Sequence, residues 1–378
     1  MRDRRFYLPQ LDGLRCLAFL LVFLHHAPFP SNSGLAHKLH SFGWVGVDLF
    51  FVLSAYLMTS LLLREYDTTG KISIKSFYIR RILRIWPLYF FAVLIGFIVL
   101  PAYSWGGEPM YYELIKNYLL PYIIFTANIP IAILGYPSMS FPALAHLWTI
   151  SYEEQFYAIL PILIVSLVPF KPSSWFRCLL FIFGLGLAVR ISLWLMDVSY
   201  LSAWVLPLAR PDSFIVGMMI AFGIEKYSLL SRVNPSVLVF LALALSAVVI
   251  YFPPIELNSI HNIWRYTAVS LTMGAVLLLS LRDSSWLCTC LATGPLRYLG
   301  KISYGLYVYH LLALAAAHYS INLVTAVYPR TGPTTQFIFE TAGALTLTIA
   351  VSAVSYRWLE KPFLRWKANY EVIKSRRA

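Results

Sequence analysis

Apolar runs of about twenty residues, broken by short polar or proline-containing stretches, recur along the whole chain. A helix needs about 20 mostly apolar residues to cross the hydrocarbon core of a bilayer. Segments near 11–29, 43–63, 78–101, 149–168, 176–196, 205–224, 234–252, 263–281, 302–323 and 336–358 meet that requirement. A weaker stretch, 111–134, is interrupted by Pro121 and Pro130. The pattern predicts an all-α, polytopic transmembrane helical bundle of about ten spans, forming one integral-membrane domain over residues 1–378. The longest connection, 102–148, carries Trp105, Tyr111, Tyr112, Tyr136 and several prolines. That composition suits an interfacial or re-entrant segment. No internal repeat or low-complexity tract is visible.

Composition sharpens this picture. Only 12% of residues are charged and 59% are hydrophobic, whereas a soluble domain carries about 25% charged residues. The net charge of +13 would suggest nucleic acid in a soluble protein. Here the basic residues gather at alternate span connections, as in Arg64–Lys75–Arg84, Lys171–Arg177, Lys226–Arg232 and Arg282–Lys301, and after the last span. The asymmetry predicts that both termini are cytoplasmic and argues for a bilayer, not nucleic acid, as the partner. The run Leu14–Leu24 follows Arg2, Arg4 and Arg5, but it contains Arg15 and lacks a small-x-small cleavage site. It reads as a retained first span rather than a signal peptide. The four cysteines, Cys16, Cys178, Cys288 and Cys290, lack the further ligands of a zinc site, and no metal is expected.

Polar residues inside a span are costly and mark function. The first span holds Asp12, Arg15, His25 and His26. Arg15 and His26 are eleven positions apart, roughly 1100° or three turns plus about 20°, so they share a face about 16 Å apart along the axis. His25 lies roughly 80° away from that stripe. Asp12 precedes Arg15 by three and can pair with it. Histidine suits proton transfer near neutral pH; the plainer alternative is that these groups anchor the two ends of the span.

Two further clusters stand out. His146-Leu-Trp148-Thr-Ile-Ser151-Tyr-Glu153-Glu154-Gln155 opens the fourth predicted span, and the seven-residue spacing would put His146 and Glu153 on one helical face. Glu153 can then orient a histidine or bind a hydroxyl, or simply complement a helix N-terminus. Arg80, Arg81 and Arg84 can lie together on one helix; guanidinium groups suit phosphate, although ordinary inner-face charge has the same signature. Asp48, Arg190, Arg210, Asp212 and His310 are further polar residues within predicted spans, and Glu360 ends the last one.

Taken in order, Leu11-Asp-Gly-Leu-Arg15…His26, Gly46-Val-Asp48-Leu-Phe-Phe-Val-Leu-Ser54, Arg80-Arg-Ile-Leu-Arg84, His146-Leu-Trp-Thr-Ile-Ser-Tyr-Glu153, Ile302-Ser-Tyr-Gly-Leu-Tyr-Val-Tyr-His310 and Glu360-Lys-Pro362 resemble the successive motifs of the acyltransferase-3 family. The family's Arg-x10-His motif matches Arg15 and His26, not His25. Ala55, where the family usually has Gly, and Gly305, where Ser is frequent, depart from its pattern.

The resemblance implies a membrane O-acyltransferase without an appended hydrolase-like domain, in the bacterial cytoplasmic (inner) membrane. It would move an acyl group, commonly acetyl, from cytoplasmic acyl-CoA to a hydroxyl of a glycan or lipid-linked acceptor. On that reading Arg15, Arg80, Arg81 and Arg84 bind acyl-CoA. His26 is general base or transient acyl carrier, with Glu153 assisting. Asp12, Asp48, His146, Trp148, Ser151, Arg210 and His310 hold the acceptor or support the site. A proton-coupled carrier is the rival, since buried Arg, Asp, Glu and His also suit transport; the chain shows no paired inverted halves.

Overall fold

The computed structural model describes residues 6–29, 40–99, 115–136, 142–252, 259–282, 285–327 and 332–374. Within them every one of the ten predicted segments contains a long helix. We label these α1 (Pro9–His26), α2 (Val45–Thr69), α3 (Ile74–Leu94), α4 (Trp148–Leu167), α5 (Pro172–Leu195), α6 (Asp212–Tyr227), α7 (Pro235–Tyr251), α8 (His261–Ser280), α9 (Ser303–Val327) and α10 (Pro333–Ser355). No strand occurs among the described residues. Trp105, Tyr111 and Tyr112 lie outside them.

Helix boundaries follow local chemistry. Proline opens α1, α5, α7 and α10, at the position where a missing N–H costs nothing. Gly70, in the left-handed region at φ 71°, closes α2 by donating its N–H to Tyr66 O. The Ser73 hydroxyl accepts from Ser76 N to start α3.

One predicted span and the weaker stretch show further detail. The segment 205–224 is not continuous: a short helix, Tyr200–Val205, precedes a turn carrying Arg210, and α6 starts only at Asp212. Pro207 and Pro211 explain the break, since neither can donate to a helical ladder. The weaker stretch 111–134 forms short pieces, Ile115–Leu119, Leu120–Ile123 and Asn128–Leu134, interrupted near Phe125, whose φ is 57°.

Four of the long helices, α2, α4, α5 and α8, and the run Thr335–Tyr370 are long and apolar enough to cross a membrane. Large apolar side chains such as Phe181 and Leu195 on α5 and Phe240 and Leu243 on α7 point outward, the arrangement expected where hydrocarbon, not water, surrounds the bundle. The chain is an all-α membrane protein. Helix α2 is central and packs on α1, α6 and α8, while α9 packs on α10.

The polar helix α1 is held by backbone-to-backbone contact. A Cβ at Gly300, in the helix Gly294–Lys301, would stand 1.7 Å from Asp12 O, and one at Gly13 would stand 2.1 Å from Leu291 O. Only glycine permits either approach. Gly300→Ala must therefore displace the start of α1 and is expected to cost about 1–3 kcal/mol. Gly343→Ala, with nothing within 4 Å, is expected to stay within about 0.5 kcal/mol of the parent. Thermal unfolding of the detergent-solubilised variants checks this; equal midpoints for the two would refute the role given to Gly300.

Candidate active site

The structure brings the sequence-predicted polar residues into two cavities, one histidine cluster and one buried ion-pair cluster. The wide cavity, about 500 Å³, opens at the end of the bundle where α1 begins and α3 carries its arginines. Arg15, Arg80, Arg81 and Arg84 line one side, and Lys301, Arg365, Lys367 and Lys374 line another. Against these eight cations the described lining holds three carboxylates, Asp12, Glu65 and Glu371. Asp12 accepts from Arg15 at 3.3 Å and from the Tyr7 hydroxyl at 2.8 Å, so the pairing foreseen on α1 is present. Glu65 accepts from Arg80 at 3.3 Å, and Glu371 pairs with Lys367 at 2.9 Å. Arg80 also donates to Tyr370 O at 2.8 Å, so it faces the cavity while its terminal nitrogens are engaged. Arg81 is buried, its Nε without a hydrogen-bond partner among the described residues, and its guanidinium lies 5.5 Å from the Tyr157 ring centroid.

A narrower cavity of about 100 Å³ continues inward. Arg15, Met58, Arg81 and Arg84 line both, which makes them the junction. Glu153 lines the narrow part, where it accepts from the hydroxyls of Ser54 and Tyr157, the latter at 2.5 Å. Its inner wall includes Thr149 and Tyr307, whose hydroxyls are 2.6 Å apart.

Behind that wall sit the histidines. Tyr307 O accepts from His310 Nδ1–H at 2.6 Å and from His146 Nε2–H at 2.8 Å. The His146 and His310 ring centroids are 4.6 Å apart, and those of His310 and His26 are 5.1 Å apart. His146 and His310 are buried, whereas His26 is exposed. Helical geometry separated the two adjacent histidines of α1, and the structure agrees: His26 faces His310, while His25 lies 3.4 Å from His40 O.

The contacts define tautomers. A carbonyl oxygen only accepts, so His26 Nδ1, 2.9 Å from Val22 O, carries the hydrogen. His310 Nδ1 likewise donates to Tyr307 O, which leaves His310 Nε2 as an acceptor 3.3 Å from His26 Nδ1. In its neutral ring His26 therefore presents Nε2 as the lone-pair nitrogen. That is the arrangement of a base held in position through its other nitrogen.

His146 and Glu153 do not act as one face. His146 lies in the turn ahead of α4 and bonds to α9, while Glu153 bonds to α2 and to its own helix. The remaining predicted residues lie outside both cavities. Asp48 pairs with Arg210 and accepts from Ser213 at 2.7 Å; Arg190 pairs with Asp212 at 2.5 Å. Arg210 also sits 4.1 Å from the Trp204 ring centroid. Trp148 packs edge-on against Trp204, and the Ser151 hydroxyl accepts from Ala127 N at 3.3 Å. These residues hold helices together. Ala55 is accommodated because Gly217 lies opposite, and Gly305 lies against Ser352 and Glu360. Among the described residues no group of three or more His, Cys, Asp or Glu side chains is arranged to hold a metal ion.

Sequence reasoning gave no role to Tyr307 or Thr149, and read Arg365, Lys367 and Lys374 only as orienting charge. Tyr307 carried one usable signal: it precedes His310 by three, so the two share a helix face.

The helical membrane fold, with its basic cavity leading toward a histidine, defines a class of polytopic proteins with a site reached from within the bundle. The chain belongs to the acyltransferase-3 family: the family's acyltransferase-domain model matches residues 8–357. A protein of Staphylococcus aureus strain MRSA252, provisionally named an O-acetyltransferase, is 29% identical over 386 residues, covering 96% of this chain and 59% of the relative. O-acetyltransferase OatA of S. aureus strain NCTC 8325 / PS 47 is 27% identical over 367 residues, covering 94% of this chain and 57% of the relative. The chain thus spans about three-fifths of the length of these curated relatives. No solved structure matches it.

The tautomer assignment is testable. Nitrogen-15 NMR of histidine-labelled protein, with His26 identified by its loss in His26→Gln, is expected to show a protonated Nδ1 and a bare Nε2. The opposite tautomer would remove the base from its proposed atom.

Proposed function

We propose that this protein is a membrane O-acyltransferase that moves an acyl group, typically acetyl, from acyl-CoA to a hydroxyl of a glycan or lipid-linked acceptor. One observation carries the reading: the basic cavity and the narrow cavity share Arg15, Met58, Arg81 and Arg84, and the narrow one ends against Tyr307, next to the histidine cluster. Acyl-CoA has the matching anatomy. Its phosphates need cations and water, its uncharged arm tolerates a low-dielectric passage, and its thioester is at the far end. Burying the phosphates in lipid would be prohibitive, so they stay in the wide cavity with Arg81 and Arg84. In this reading that cavity faces the cytoplasm, as the positive-inside asymmetry requires, and all ten long helices span.

The chemistry balances with one base. His26 Nε2 takes the proton of the acceptor hydroxyl, and the oxygen attacks the thioester carbonyl. The carbon–sulfur bond breaks, and CoA leaves as the thiol after receiving a proton. His310 keeps His26 in the productive tautomer, and Glu153, fixed by Ser54 and Tyr157, lines the approach of the arm. The same nitrogen could instead carry the acyl group briefly before the hydroxyl takes it. The family membership and the names of the S. aureus relatives support acyl transfer as the activity.

His26→Ala is expected to lower acyl transfer by about 10²–10⁴-fold, while His25→Ala keeps most of it. The measurement is transfer of labelled acetyl from acetyl-CoA to cell-wall glycan in proteoliposomes. Wild-type rates from His26→Ala, or solute uptake without acyl-CoA turnover, would overturn the proposal.

A further inference from the structure

We propose that the ribose 3′-phosphate of CoA is recognised by Arg365, Lys367 and Lys374 of the segment following α10, together with Lys301 at the end of the helix that precedes α9. The inference rests on the acyl-CoA reading above and extends it to residues with no role there.

The division of the cations between the cavities carries the argument. Arg15, Arg81 and Arg84 line both cavities, so a group bound to them sits where the passage narrows. If the acyl arm occupies the narrow part, the diphosphate that precedes it along CoA lies at that junction. The next charged group outward is the 3′-phosphate on the ribose, which must fall in the wide part. There Lys301, Arg365, Lys367 and Lys374 line the wide cavity and not the narrow one.

Charge agrees with this placement. Eight cations against three carboxylates leave a surplus of five in the described lining. CoA carries about four negative charges, of which a phosphate monoester supplies about 1.5–2. The three arginines at the junction take the diphosphate and leave the monoester for the outer group. Arg365 is exposed, and Lys301 Nζ lies 5.0 Å from the Tyr356 ring centroid; among the described residues neither forms a salt bridge.

The segment is also built into the bundle. Arg80 donates to Tyr370 O at 2.8 Å while holding Glu65, and Phe6 N donates to Lys374 O at 3.0 Å. Lys367 and Glu371 pair across one turn at 2.9 Å. A basic tail that only touched anionic headgroups would need no such attachment and no concave wall. Arg80 is then a positioning residue: it fixes the segment that carries the phosphate ligands.

Titration calorimetry of the purified full chain in nanodiscs, with CoA and with 3′-dephospho-CoA, tests this without an acceptor. The wild type is expected to bind CoA about tenfold or more tightly than the dephospho form. Lys301→Ala and Arg365→Ala are each expected to remove most of that difference, by weakening CoA while leaving 3′-dephospho-CoA binding unchanged. Equal wild-type affinities for the two ligands, or variants that weaken both equally, would overturn the assignment and leave acyl-CoA use intact. A discrimination that appears only with anionic lipid would transfer these cations to the headgroups and also overturn it. Failure of the wild type to bind either ligand would sink the acyl-CoA reading itself, and this assignment with it.

Discussion

A charge inside a helical membrane bundle must find its partner within the protein, because the surrounding hydrocarbon supplies none. That constraint organises the molecule. Asp48 of α2 meets Arg210, and Asp212 of α6 meets Arg190 of α5, with Ser213 and Thr267 taking up remaining oxygens. The pairs tie α2, α5, α6 and α8 to one another. Removing one partner of such a pair strands the other, which costs several times more than the pair contributes over an apolar replacement. Their value is therefore in specifying which helices meet.

The same rule makes the wide cavity conspicuous by contrast. There the described cations outnumber the carboxylates eight to three. A fold that matches Asp48 and Asp212 each with an arginine in its core leaves a positive surplus where an anion can enter. The helix α1 connects this surplus to the histidines. Its first turns, pressed against Gly300 and the backbone at Leu291, bring Asp12 and Arg15 to the basic end. Its last turn puts His26 against His310. The spacing between Arg15 and His26 is set by helix rise alone, so the distance between the two side chains' positions along α1 cannot drift.

Much of this was legible in the sequence because it is periodic or local. Apolar runs located all ten long helices, since each must bury or expose about twenty apolar residues as a unit. The 3.6-residue repeat aligned Arg15 with His26 and set His25 aside. The cluster Arg80, Arg81 and Arg84 needed only i, i+3 and i, i+4 spacing. What escaped is long-range or depends on hydrogen-bond direction. His26 and His310 are 284 positions apart, and no local pattern announces that they touch. Glu153 and His146 sit at a helical spacing, yet His146 lies ahead of the helix and turns toward α9. Arg210 lay within an apolar run, but Pro207 and Pro211 decide that it occupies a turn.

The histidine cluster shows why the polar groups had to be assembled from different helices. A single histidine at a helix end can donate from either nitrogen, and water would let it change tautomer freely. Val22 O and His310 Nε2 both face His26 Nδ1, so the hydrogen has two acceptors on one side. Tyr307 O in turn receives both His310 and His146, which fixes the ring that fixes His26. Each link uses a donor whose direction is settled by a carbonyl, the one backbone group that cannot reverse its role. The lone pair of neutral His26 is thereby directed at a single atom by two helices and a turn, an arrangement that an isolated anchoring histidine would not require.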